Sequence, residues 1–157
     1  MDENYKIKKT KYCKIVNYLC IIILTVTFVF LMIQYLLLPD KIPMHYNFNG
    51  EVDRYGNKWE IWIAYITGII LYFGLSVIER KPQYWNTGIT ITEKNKQRIY
   101  QLLYNMLITI KLQVVSLFMI MSVFSSLQIG NFSINLLILG VIVITMILYF
   151  YKIFKAK

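Results

Sequence analysis

The fold of this chain is decided by the stretch IVNYLCIIILTVTFVFLMIQYLLL, residues 15–38, which carries no charged residue. An apolar run of about 20 residues is long enough to cross the hydrocarbon core of a bilayer as a helix. Three further apolar runs lie at residues 61–78, 112–129 and 134–151. At about 1.5 Å per residue, the shorter runs reach roughly 27 Å, close to the thickness of that core. The sequence therefore predicts an all-α integral membrane protein, a single membrane domain over residues 1–157 with four transmembrane helices.

The basic residues outside these runs follow an alternating pattern. Five precede the first run, three lie in residues 38–59, six lie between the second and third runs, none lies in residues 130–133, and three follow the fourth run. The positive-inside rule then predicts that both termini and the 79–111 connection are cytoplasmic, and that the 39–60 loop faces outward. The net charge of +9 is explained by this topology and by attraction to anionic lipid, so we expect the bilayer, and no nucleic acid, as a partner.

The predicted outer loop contains a strong turn signal. Its Asn49-Gly50 dipeptide favours a type I′ hairpin turn, which needs a positive φ at both central positions. Strand-compatible residues flank this dipeptide at 42–48 and 51–55. A two-residue turn would pair Phe48 with Glu51, Asn47 with Val52, Tyr46 with Asp53, and His45 with Arg54.

This register would divide the side chains of the ribbon between two faces. One face would hold Met44, Tyr46, Phe48, Glu51, Asp53 and Tyr55. The other would hold His45, Asn47, Val52 and Arg54. Because an isolated two-stranded ribbon is marginally stable in water, we expect an extracellular β-hairpin-like loop between helices 1 and 2 that lies on the outer ends of the helices.

The chemistry of this loop does not indicate a metal site or a catalytic site. The single histidine, His45, would have Asp53 on the opposite face, and one histidine cannot complete a zinc site. A calcium loop would require a glycine and a glutamate where Val52 and Lys58 stand. The four runs contain no Asp or Glu, and no catalytic set is legible, so we predict a protein that is not an enzyme and needs no cofactor.

The polar and turn residues of the loop leave two interpretations open. They either contact a ligand or hold the loop together through internal hydrogen bonds, since buried polar groups must be satisfied. These candidate residues are Pro43, His45, Asn47, Asn49, Gly50, Asp53, Gly56 and Lys58.

The cytoplasmic connection is predicted to end in a long helix. Thr92 followed by Glu93 is a plausible helix start, and apolar residues recur from there at three- and four-residue spacing. We expect one helix over residues 93–127, amphipathic along the inner surface and then spanning, with Lys111 near the water boundary, where its stem can snorkel. The residues expected to contact lipid or a cytoplasmic partner are Lys94, Lys96, Arg98 and Lys111.

The outer loop resembles a known bacterial membrane domain. The resemblance is carried by Leu38-Pro39-Asp40, Ile42-Pro43, His45, Asn47, Asn49-Gly50, Asp53, Tyr55-Gly56 and Lys58, and by Ile91-Thr92-Glu93, Asn95, Arg98-Ile99-Tyr100 and Lys111. That domain of unknown function forms the N-terminal part of SdpI-type immunity proteins and also occurs alone in short proteins. The chain is similar to such a short member, which implies a bacterial cytoplasmic membrane. SdpI-type proteins protect a producer cell against a secreted toxic peptide and sequester a repressor at the membrane.

Two functions are expected on these grounds. The first is a non-enzymatic immunity or resistance factor that acts through the outer loop on an extracellular membrane-active peptide. The second is a small membrane sensor or accessory subunit that recruits a cytoplasmic regulator or transporter through the basic segment 93–110.

Overall fold

The structure is a computed structural model that describes residues 7–47, 49–85, 88–130 and 132–156. Within these residues lie four long helices: α1 (Lys11–Leu37), α2 (Ile61–Ile78), α3 (Lys96–Ser126) and α4 (Phe132–Lys155). Each carries a stretch that is long and apolar enough to cross a membrane. Two strands, β1 (Lys41–Tyr46) and β2 (Val52–Asn57), form an antiparallel hairpin between α1 and α2. The predicted fold class is therefore confirmed.

The ends of α1 follow from local sequence. The Thr10 hydroxyl caps its first turn by accepting from the Cys13 amide at 3.4 Å. The helix stops at Leu37, because Pro39 disfavours helical geometry at the preceding Leu38, which adopts φ −74° and ψ 141°. The chain then turns directly into β1.

The helix α3 lies at the centre of the bundle. It packs against α1, α2 and α4, whereas α1 and α2 touch each other only slightly. Ile99, Ile108 and Val115 along α3 are fully buried. By contrast, the apolar stretch of α4 has no buried residue, so this helix presents most of its surface to the lipid.

The start of α3 differs from the prediction. The helix begins at Lys96 rather than Glu93, because residues 93–95 form a separate turn. Thr92 and Asn95 close this turn reciprocally: the Asn95 side chain accepts from the Thr92 amide at 2.8 Å, and the Thr92 hydroxyl accepts from the Asn95 amide at 3.4 Å.

The α3 helix also ends before the apolar run does. Gln128 adopts φ 57°, its amide donates to the Ser125 carbonyl at 3.1 Å, and the Ile129 amide donates to the Phe124 carbonyl at 3.0 Å. These two bonds form a Schellman motif, which satisfies the last carbonyls of α3 and reverses the chain into α4.

The register of the hairpin corrects the sequence prediction. His45 pairs with Arg54 as predicted, but Tyr46 pairs with Val52 rather than Asp53, and the pairing is irregular between Pro43 and Tyr46. The predicted partner of Asn47, Val52, is wrong as well, since the Asn47 amide donates to the Glu51 carbonyl at 2.9 Å. The predicted pairing of Phe48 lies outside the described residues.

The cause of this shift is the Asn47 side chain. Its Oδ1 accepts from the amides of Asn49 and Glu51, both at 2.9 Å, which closes a turn wider than two residues. Of the two residues Asn49 and Gly50, only Gly50 has a positive φ, 83°, so the predicted type I′ turn is wrong. The irregular pairing also brings His45 and Asp53 together, against the prediction that they face opposite ways.

Candidate functional site

The hairpin is anchored to the helices through its base. Ile42 is fully buried in a cluster with Leu31 of α1, Ile61 of α2 and Val115 of α3. This burial fixes the ribbon on the ends of three helices, as expected for a two-stranded element that cannot stand alone.

Lys58, the residue after β2, holds the base of the hairpin together. Its amide donates to the Asp40 carbonyl at 3.0 Å, and its ammonium lies 3.1 Å from the Asp40 carboxylate and 3.4 Å from the Leu38 carbonyl. The same ammonium lies 5.2 Å from the centre of the Tyr35 ring. Lys58 therefore joins the two ends of the hairpin to the end of α1.

The other candidates of the loop lie nearer the tip or the surface. His45 Nδ1 lies 2.6 Å from Asp53 Oδ1, and the two side chains are 65% and 44% exposed. Asn49 and Gly50 are exposed at the turn, while Pro43 pairs with Tyr55 within the ladder. The hairpin thus presents a hydrogen-bonded, accessible pair of polar side chains above a packed base.

Gly56 has a packing role. A Cβ at this position would collide with the Glu60 carboxylate and the Met44 side chain. Glu60 needs that space, because it accepts from the Asn57 amide and the Arg54 guanidinium, both at 2.9 Å. These bonds join the end of β2 to the start of α2.

The hairpin covers one side of a cleft at this end of the bundle, which we call the hairpin cleft. It measures about 590 Å³ and is bounded by β1, the start of α2, the end of α3 and the start of α4. Two buried polar atoms of its lining residues, the Tyr46 hydroxyl and Asn135 Oδ1, have no hydrogen-bond partner among the described residues. Burial raises the pKa of Tyr46, so its hydroxyl stays neutral and able to donate. Buried polar atoms without a partner are rare in folded proteins, so these two mark the cleft as a candidate ligand site.

A second polar cluster, at the opposite end, was not predicted. Lys111 is 1% exposed, and its ammonium donates to Asn17 Oδ1 at 2.6 Å, Glu79 Oε2 at 2.6 Å and Ser76 Oγ at 3.2 Å. It also lies 5.1 Å from the centre of the Tyr72 ring. The prediction that Lys111 snorkels to the water boundary is wrong, because a buried carboxylate from the end of α2 satisfies it inside the bundle.

The basic segment is only partly free for a partner. Its apolar residues Ile99, Tyr100 and Leu103 are buried in a cluster with Cys13 and Trp85, so its amphipathic stripe packs within the bundle. Lys94 and Arg98 are exposed, and Lys96 Nζ lies 3.6 Å from Glu93 Oε1. Lys94 and Arg98 are therefore the two cations of the segment that are accessible to a partner.

No group of three or more His, Cys, Asp or Glu side chains within the described ranges is arranged to hold a metal ion. The His45–Asp53 pair supplies two such groups, fewer than the three or four protein ligands of zinc sites. The described polar side chains of the hairpin form hydrogen bonds and ion pairs with one another and with the residues that flank it.

Part of the chain matches a known protein family. Residues 22–75 match a family described as a domain of unknown function, DUF1648, which here covers most of α1, the hairpin and most of α2. No curated protein and no solved structure matches the chain.

Proposed function

We propose that this protein is a non-enzymatic membrane immunity or resistance factor that intercepts an extracellular membrane-active peptide at the hairpin. The observation that carries the proposal is the hairpin cleft, where the Tyr46 hydroxyl and Asn135 Oδ1 have no hydrogen-bond partner among the residues that the structure describes. A volume of about 590 Å³ falls within the range of ligand-binding sites. The resemblance of the loop to that of SdpI-type immunity proteins supplies the class of ligand.

The hairpin suits a peptide ligand for two physical reasons. A two-stranded ribbon has edge strands whose backbone groups can pair with an added extended segment. Beside it, the exposed His45–Asp53 pair and the Arg54–Glu60 pair offer polar groups of both signs. A peptide held by these groups would be kept from inserting into the bilayer.

The proposal is tested by expression in a host that is sensitive to membrane-active peptides. The variants are Tyr46→Phe, which removes only the buried hydroxyl, and His45→Ala and Asp53→Ala, which remove the exposed pair. Tyr55→Phe is the matched control, because Tyr55 is 64% exposed and lies outside the cleft. We expect the wild type and Tyr55→Phe to raise the lethal concentration of at least one peptide severalfold, and the other variants to lose this protection.

The variants also separate ligand binding from loop structure. Contacts between exposed side chains contribute little to stability, so His45→Ala and Asp53→Ala should leave the unfolding temperature nearly unchanged. Lost protection with an unchanged unfolding temperature supports direct contact with the peptide. Equal killing of all strains across the panel of peptides would rule the proposal out.

A second candidate function rests on the exposure of Lys94 and Arg98. In this proposal the protein is a sensor or accessory subunit that recruits an acidic cytoplasmic regulator or transporter subunit through these cations. Neutralising both, as Lys94→Gln with Arg98→Gln, should abolish co-purification of that partner and leave peptide protection intact. A partner retained by this double variant would contradict the second candidate.

A further inference from the structure

A second cleft lies at the basic end of the bundle, which we call the basic cleft. It measures about 900 Å³ and separates the start of α1 from the end of α2. It exists because both helices pack against α3 but touch each other only slightly. Clefts of roughly 300–1,000 Å³ are typical of sites for small ligands.

The basic cleft carries an excess of positive charge. Lys9, Lys14 and Arg80 line it, all three are exposed, and none pairs with an acidic side chain within the described parts of the chain. Its lining carboxylate, Glu79, lies 2.6 Å from the Lys111 ammonium and is neutralised by it. The three hydrogen bonds of Lys111 use all three of its N–H donors. The three exposed cations at the rim of the cleft are therefore the charged groups that can bind a ligand.

The walls of the basic cleft change character along the helices. Lys9 precedes the Thr10 cap of α1, Lys14 lies in the first turns of α1, and Arg80 follows the α2 cap. By contrast, Tyr18, Ile21 and Tyr72 line the cleft nearer the middle of the same helices. A soluble anion would contact only the three cations and would leave the apolar walls of the cleft uncovered. A cationic rim above aromatic and aliphatic walls is complementary to an amphiphile with an acidic headgroup, and basic residues near the membrane surface attract anionic lipid.

We propose that the basic cleft binds one anionic phospholipid, whose phosphate is recognised by Lys14 and Arg80 and whose acyl chain lies between α1 and α2. Lys9 adds charge at the same rim. The site is separate from the hairpin, so this proposal stands independently of the proposed function.

The test uses the full chain, purified in mild detergent and titrated with phosphatidylglycerol or phosphatidylcholine under native mass spectrometry. The cleft variant is Lys14→Gln with Arg80→Gln, and the matched control is Lys152→Gln with Lys155→Gln, which removes two cations from the last turn of α4. We expect the wild type to prefer phosphatidylglycerol, the cleft variant to bind it about tenfold more weakly or worse, and the control to match the wild type.

A third variant keeps the charge and fills the space. Ile21→Trp leaves all three cations in place but fills the space beside the apolar wall, so this variant should also bind phosphatidylglycerol more weakly than the wild type does. Undiminished retention by this variant would overturn the placement of the acyl chain. Equal losses in the cleft variant and the control would show diffuse charge attraction instead of a site, and displacement of the lipid by an equal concentration of inorganic phosphate would show a site for soluble anions.

Discussion

Lys111 shows how a single buried cation can organise three helices. Its ammonium contacts Asn17 of α1 and Ser76 of α2, and it pairs with Glu79 at the α2 cap. Lys111→Met should therefore destabilise the protein by about 3–5 kcal/mol, because it leaves the Glu79 carboxylate buried without a cation. The unfolding temperature in detergent measures this loss.

The double variant Lys111→Met with Glu79→Met provides the control for that prediction. Removing both partners of a buried ion pair costs much less than removing one, so the double variant should recover most of the lost stability. Additive losses in the two single variants and the double variant would contradict this account of the cluster.

Gln128 carries a second prediction at the scale of one residue. It holds φ 57° at the C-terminus of α3, a conformation that costs an L-residue about 1–2 kcal/mol and costs glycine little. Gln128→Gly should raise stability by about 1 kcal/mol. Gly130→Ala, two residues on, should lower it, because the added Cβ would lie 2.5 Å from Cγ of the Tyr46 ring. The two unfolding temperatures should therefore shift in opposite directions.

At the scale of the element, the contact between α2 and α3 depends on one small residue. A Cβ at Gly68 would lie 2.5 Å from the Met119 methyl and 3.0 Å from Cβ of Phe118, whereas a Cβ at Gly74 would meet nothing within 4 Å. Small residues allow membrane helices to approach closely, so Gly68→Leu should force α2 away from α3. Gly74→Leu on the same helix is the control and should leave the fold intact. Comparable destabilisation by the two substitutions would argue against the close α2–α3 contact.

The hairpin shows which parts of an element a sequence can predict. The Asn49-Gly50 dipeptide correctly predicted a reversal between two strands, since Gly50 does adopt a positive φ. The register depended on the Asn47 side chain, whose two acceptor contacts to backbone amides favour a wider turn. The predicted faces followed from the alternation of side chains along a strand, which does not depend on hydrogen bonds such as those of Asn47. For this reason the predicted faces of His45 and Asp53 were wrong.

At the scale of the whole molecule, the number of helices followed from physics that the sequence displays directly. Four apolar runs of bilayer length became four helices. The Lys111–Glu79 pair could not be predicted in the same way, because the two residues lie 32 positions apart and meet only through the packing of α2 on α3. Glu79 directly follows the apolar run 61–78, and nothing in its local sequence indicates a buried partner.

The orientation of the molecule is also testable. Cys13 and Cys20 are 1% and 0% exposed, so they should not react with an impermeant maleimide in intact cells. Asn49→Cys at the hairpin turn should be labelled from outside, and Lys94→Cys should be labelled only after the cells are opened. The reverse labelling pattern would place the hairpin in the cytoplasm and remove the basis of the peptide-interception proposal.

The buried Lys111–Glu79 pair also has a consequence for biogenesis. During synthesis α2 and the Glu79 that follows it leave the ribosome before α3 does, and a lysine at the edge of a membrane segment raises the free-energy cost of insertion when it has no partner. If α2 is inserted first, the Glu79 carboxylate can pair with Lys111 and offset that cost. We therefore expect α3 to partition into the bilayer more efficiently when α2 is already in the bilayer. From the order of synthesis and the placement of this ion pair, we expect the entry of the second half of the protein into the membrane to depend on the first half.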